Sequence, residues 1–241
     1  MTARPVLRVE REGAITRLTL DAPERRNALS AALVEAMLEA LEAAGGDGTR
    51  LLVIRGDGKA FCAGFDFTGI DDQSDGDLVL RFVRVEQLLQ ALRHAPFATM
   101  ALAHGAAFGA GADIVAACMH RVAAPGTRLR MPGLRFGVVL GTRRLADLIG
   151  TDAARGLLES TRVFDTDEAL ELGFLTGVAD EQAWPALIDA AAAAATSLPP
   201  EAHRTLLART VPDTRDTDMA ALVASVATPG LADRIRAFLA K

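Results

Sequence analysis

Lysine, sulfur and aromatic rings are all scarce in this chain of 241 residues: lysine occurs only at Lys59 and Lys241, cysteine only at Cys62 and Cys118, tryptophan once, and tyrosine not at all. Each shortage excludes something. Without tyrosine there is no tyrosine general acid. Two cysteines in neither a CxxC nor a metal-like spacing give no disulfide framework and point to a reducing compartment. His94, His120 and His203 lack metal-like spacing, so no metal is expected. No apolar run is long enough to span a bilayer, and the first residues pass almost at once into a strand pattern, so no signal peptide is expected. The formal net charge of −5 comes without a basic stripe, which argues against a nucleic-acid partner. The expectation is a soluble, cytoplasmic protein.

What the chain has is apolar material, at 50% of its residues, and 21 glycines. That is ample for one sizeable core. Val6 to Glu10 and Ala14 to Leu20 alternate as a hairpin turning at Glu12-Gly13. Ser30 can cap a helix whose apolar face is Leu33, Val34, Met37, Leu38 and Leu41, and which Gly45-Gly46 ends. An acidic loop over 71–77, read as mobile, precedes a helical pattern from Leu78 to His94. Ile114 to Cys118 reads as a buried helix, and Arg121 to Ala124 and Thr127 to Met131 as strands. The alternation of strands and helices gives an α/β class. The alanine run at 190–195 is read as helix. A boundary is placed after it, with a core over 1–196 and a C-terminal helical region over 197–241.

Two glycine-rich stretches carry the chemistry. Gly56-Asp57-Gly58-Lys59-Ala60-Phe61-Cys62-Ala63-Gly64-Phe65-Asp66 follows the apolar run Leu51 to Ile54, and His104-Gly105-Ala106-Ala107-Phe108-Gly109-Ala110-Gly111-Ala112-Asp113 follows Phe97 to Ala103. Both runs read as buried strands. Small residues let a ligand approach the backbone, and a helix starting directly afterwards would present unpaired N–H groups to it. Two such donors on one oxygen make an oxyanion hole, which stabilises charge developing on a carbonyl.

The two stretches, with Pro23 to Ser30 before them and Asp165 to Leu175 after them, resemble the crotonase superfamily, the enoyl-CoA hydratase/isomerase family. The resemblance spans about residues 5 to 180, with a weaker echo in Arg236 to Lys241. It implies a spiral of ββα turns followed by C-terminal helices, assembled as a homotrimer or dimer of trimers. It also implies an acyl-CoA thioester as substrate, coenzyme A entering as part of that substrate with no permanently bound cofactor. By position, the oxyanion-hole donors would be the backbone N–H groups of Phe65 and Ala110. Arg25 and Lys59 match basic groups near the CoA phosphates, and the Ala63 backbone matches a contact to adenine. The lysine-rich helix with which some relatives bind RNA is absent.

The chain departs from the family's hydratases in two ways. Of their two usual glutamates, the first falls on Asp113, one methylene shorter, and the second on Gly133, which carries no acid. The chain also reaches Thr142-Arg143-Arg144 a few residues sooner than relatives do, which remodels the pocket wall. Asp113 reads either as a general acid or base raised by burial, or as a helix N-terminal carboxylate complementing the dipole. The functional expectation is an acyl-CoA enzyme stabilising a thioester enolate, with hydratase activity doubtful. A double-bond isomerase or decarboxylase, or a non-catalytic acyl-CoA-binding member, are the alternatives. A serine peptidase is excluded, because residues 104–118 contain no serine. Cys62 and Cys118 read as packed residues, and His104 as a turn-stabilising side chain.

Overall fold

Strands β1 (Leu7–Glu12) and β2 (Ile15–Leu20) pair antiparallel, with Leu7 opposite Leu20. The computed structural model describes residues 5–240, so residue 241 of the C-terminal echo lies outside it. Helix α1 (Ala31–Gly46) follows, and the Ser30 hydroxyl accepts from the Leu33 N–H as its cap. Strand β3 (Leu51–Gly56) then lies parallel to β2. Helix α2 (Asp75–Arg93) opens with a reciprocal cap in which Ser74 and Asp77 each bond the other's backbone.

Two ββα turns come next. Strands β4 (Ala98–Ala103) and β5 (Ala106–Phe108) lead into α3 (Ala110–Ala117), then β6 (His120–Ala123) and β7 (Arg128–Arg130) lead into α4 (Thr142–Ile149). Each turn puts one strand in a large sheet and one in a small one. Helices α5 (Thr151–Ser160) and α6 (Thr166–Glu171), strand β8 (Gly177–Val178), and helices α7 (Trp184–Thr196), α8 (Pro200–Thr210), α9 (Arg215–Val226) and α10 (Leu231–Leu239) complete the chain. The large sheet has the order β1-β2-β3-β4-β6-β8, parallel from β2 onward, and the small one pairs β5 with β7.

The middle of the sheet is covered on both faces, so β3 and β4 are near-continuous apolar runs, whereas the edge strand β1 carries charged, exposed residues. Leu51, Val53, Met100 and Leu102 meet Trp184 and Ile188 of α7 on one side. Leu52, Ile54 and Ala101 face the larger core built with α1, α2 and α3. Every residue of β4 and α3 is buried, which sets the start of α3 rigidly against the end of β5.

The acidic loop read as mobile is fastened to the far end of the chain. The Asp75 carboxylate accepts from the N–H groups of Gly230, Leu231 and Ala232, so it caps α10, and Arg236 pairs with Asp71. These bonds hold Asp75 below the usual carboxylate range.

Candidate active site

The two glycine-rich stretches run side by side. The Cys62 N–H donates to Ala106 O at 3.2 Å and the Phe108 N–H donates to Cys62 O at 3.0 Å, so the first loop is laced along β5. At Gly64 the backbone turns with φ +92°, and a Cβ there would lie 2.4 Å from Phe108 O and 3.3 Å from Ala110 N. Only glycine allows that approach. Beyond this contact sit the N–H groups of Phe65 and Ala110, and neither donates to an acceptor among the described residues.

The two donors are free for different reasons. Ala110 opens α3, so its N–H has no acceptor within the helix. No helix follows the first stretch, contrary to the expectation for both stretches: residues 57–69 form a loop, and α2 starts only at Asp75. Phe65 instead stands in an isolated parallel bridge with Leu29, in which the Leu29 N–H donates to Gly64 O and the Asp66 N–H to Leu29 O. Its own N–H points away from that bridge, and the ordinary geometry of an extended residue supplies what a helix start was expected to supply.

Asp113 lies one turn into α3 and lines the same cavity as Phe65 and Ala110. Its carboxyl is buried and Oδ1 has no hydrogen-bond partner. Burial pushes its pKa up to about 8, with Arg144 pulling it down and Glu86 adding to the rise. It makes no capping bond to the N–H groups of its own helix, although it lies in that helix's first turn.

Glu86 of α2 and Arg144 of α4 form a buried ion pair, Nη2 to Oε1 at 3.2 Å, beside Asp113. Gln90 Nε2 donates to Glu86 at 3.0 Å. Burial raises the Glu86 pKa against the pull of the guanidinium. Arg144 Nη1 and Thr142 Oγ1 are buried without partners, like Asp113 Oδ1. These groups meet at Gly141, whose φ is +66°. A Cβ there would fall 1.7 Å from Asp113 Oδ1 and 3.5 Å from Arg144 Nη1. The two orphan atoms are therefore within about 5 Å of one another, a gap that one water or one substrate oxygen bridges.

The remaining sequence candidates divide. Gly133, on which the resemblance puts the second acid, lines the cavity at the head of a short 3-10 turn and offers no side chain there. Ala63 lines it too; its N–H is taken by Arg26 O. Arg25 is half exposed and pairs with Asp66 at 3.4 Å. Lys59 is exposed. Cys62 and Cys118 are buried, with thiols pushed up to about 12 by burial. His104 Nε2 meets Gly58 O at 2.9 Å and so ties the first glycine loop. Sequence reasoning missed Glu86, Arg144 and Thr142.

The spiral of ββα turns brings Phe65 and Ala110, with their unpartnered backbone donors, and the buried Asp113 to the lining of one cavity. Residues 10–227 match the enoyl-CoA hydratase/isomerase family. The chain belongs to that family. It is 35% identical over 181 residues, covering 73% of this chain and 72% of the relative, to a protein from Mycobacterium tuberculosis named probable enoyl-CoA hydratase echA6. A probable enoyl-CoA hydratase from Bacillus subtilis is also 35% identical, over 64% of this chain and 62% of its own. A crystal structure from Bordetella parapertussis, named for an enoyl-CoA hydratase/isomerase, superposes with a TM-score of 0.98 at 51% identity, covering 99% of this chain and 100% of that one. An enoyl-CoA hydratase from Bacillus halodurans has the same fold, with a TM-score of 0.84 at 22% identity over 96% of this chain and 99% of its own.

Proposed function

We propose that this chain is an acyl-CoA enzyme that polarises the thioester carbonyl between the N–H groups of Phe65 and Ala110 and uses Asp113 as its single acid–base group. The observation that carries the reading is the buried carboxyl with an orphan oxygen, one helical turn beyond a free backbone donor in the same cavity. Polarising the carbonyl acidifies the adjacent C–H. The Asp113 carboxylate takes that proton, the electron pair spreads into the thioester as an enolate, and the carboxyl returns the proton to the same or a vinylogous carbon. No atom is gained or lost, so double-bond isomerisation suits this site better than addition of water. Two-carboxylate hydration is poorly served: Gly133 offers no acid, and Glu86 is committed to Arg144. By the family resemblance the Ala63 backbone, Arg25 and Lys59 would contact coenzyme A, and a phosphate would compete with Asp66 for Arg25.

Calorimetry with free CoA and acyl-CoAs, followed by hydrogen–deuterium exchange at the acyl α-carbon, tests the reading. Saturable binding with exchange that Asp113→Asn abolishes is expected. Binding without exchange in the native protein would leave an acyl-CoA-binding protein, and the absence of binding would remove the function altogether.

A further inference from the structure

Aromatic side chains are rare in this chain, yet they gather in one place. Of its ten phenylalanines, Phe65, Phe67, Phe82, Phe108, Phe136 and Phe238 line the cavity of about 190 Å³ that holds Asp113 and the two free N–H groups. They arrive from five separate parts of the chain: the first glycine loop, α2, β5, the turn before α4, and α10. Five of them form a connected series. Phe65 stacks on Phe82 at 4.2 Å and 14°, and lies 5.2 Å and 47° from Phe67. Phe67 meets Phe136 edge to face at 6.0 Å and 87°, and Phe136 meets Phe82 at 6.5 Å and Phe238 at 5.0 Å. The Arg81 guanidinium lies 4.2 Å over the Phe65 ring, so that ring is fixed from a second direction.

We infer that the acyl group this cavity selects carries an aromatic ring. The inference rests on the reading of the site as an acyl-CoA cleft. Rings at interplanar angles from 14° to 87° offer the cavity a mixture of negative faces and positive rims, and only a π-system in the ligand gains from both. An alkyl chain of the same carbon number gains burial alone. A cavity of about 150 Å³ lined by apolar side chains already accepts benzene, so one of this size takes a single ring with a short link to the thioester. Each phenylalanine has only two side-chain torsions, so the wall loses little freedom when it is filled. Phe238 closes the series from α10, which the Asp75 cap holds in place.

Three eight-carbon acyl-CoAs separate shape, burial and ring character: phenylacetyl-CoA, cyclohexylacetyl-CoA and octanoyl-CoA, with free CoA as reference, all measured by calorimetry on the native protein. Phenylacetyl-CoA is expected to bind about tenfold or more tightly than either saturated counterpart, the equivalent of two favourable ring contacts. Phe238→Leu keeps an apolar side chain near the surface of a helix end, and should cut the ratio of phenylacetyl-CoA to octanoyl-CoA affinity by about threefold. Phe136→Leu should do the same more strongly, provided circular dichroism shows it folded. Equal or tighter binding of octanoyl-CoA or cyclohexylacetyl-CoA overturns the inference and leaves the acyl-CoA reading standing. So does a preference unchanged in Phe238→Leu. Acyl-CoAs that bind no better than free CoA overturn both.

Discussion

Gly141→Ala is the substitution that most sharply separates fold from chemistry in this protein. The added Cβ would lie 1.7 Å from Asp113 Oδ1 and 2.8 Å from its Cγ, about half the distance at which atoms can touch. The carboxyl must then move by roughly 1.5 Å, or the 137–142 link must shift. A misplacement on the order of 1 Å costs about a hundredfold in rate, so α-carbon exchange should fall by about that factor. The backbone contributes separately: alanine at φ +66° costs about 1–2 kcal/mol, or roughly 2–8 °C in melting temperature for a chain of this size. Gly13→Ala isolates the second effect, because Gly13 has φ +58° and nothing within 4 Å of its absent Cβ. Both variants should melt lower, and only Gly141→Ala should lose exchange measured by NMR in deuterium oxide. A Gly141→Ala protein that exchanges as fast as Gly13→Ala would show that the position of Asp113 does not matter to the chemistry.

Glu86→Gln leaves the buried Arg144 guanidinium without its counter-charge and should destabilise by about 3–5 kcal/mol in urea unfolding. It also removes a negative neighbour from Asp113, so the pH profile of exchange should move to lower pH. In the native protein exchange should rise with pH and level off above about 8, as Asp113 becomes the base. Its effect on stability has the opposite slope. The folded-state pKa lies above the unfolded one, so the native state holds the proton over roughly pH 4–8, and stability is greatest below that window and falls as pH rises through it. Asp113→Asn should flatten that fall and melt higher than the native protein at pH 9. Asp75→Asn weakens the cap on α10 and should make residues 230–240 the first site of limited proteolysis.

Six of the eight strands among the described residues, helices α1 and α2 and both glycine loops were legible in the sequence because each is a local pattern: apolar runs, a serine cap, small residues together; β5, hidden inside the second glycine stretch, and the two-residue β8 were not. Phe65 shows where local reasoning stops. Its free N–H was expected from a helix start and comes instead from the bridge with Leu29, a pairing across 36 positions that periodicity does not reveal. Glu86 carried a signal that went unread, a carboxylate on the helix face shared with Phe82, Val85 and Leu89. Its partner Arg144 is 58 residues away, so the charge was visible and its meaning was not. Nothing in the sequence around Gly141 marks it, and only the placement of α4 against α3 brings it against Asp113. The aromatic cavity is similarly tertiary: Phe238 lies about a hundred residues beyond the other rings, and Asp75, 155 residues from Gly230, sets the helix that carries it.

The central claim is that Phe65 and Ala110 donate to one thioester oxygen, and the carbonyl itself reports on this. Difference infrared spectroscopy of an acyl-CoA labelled with carbon-13 at the thioester carbonyl, free and bound, reads its polarisation directly. The account predicts a shift of the stretch to lower frequency on binding, largely reversed in an Ala110→Pro variant whose fold is verified by circular dichroism, because proline deletes one donor. A bound carbonyl at its solution frequency, or a shift that Ala110→Pro leaves intact, would contradict it.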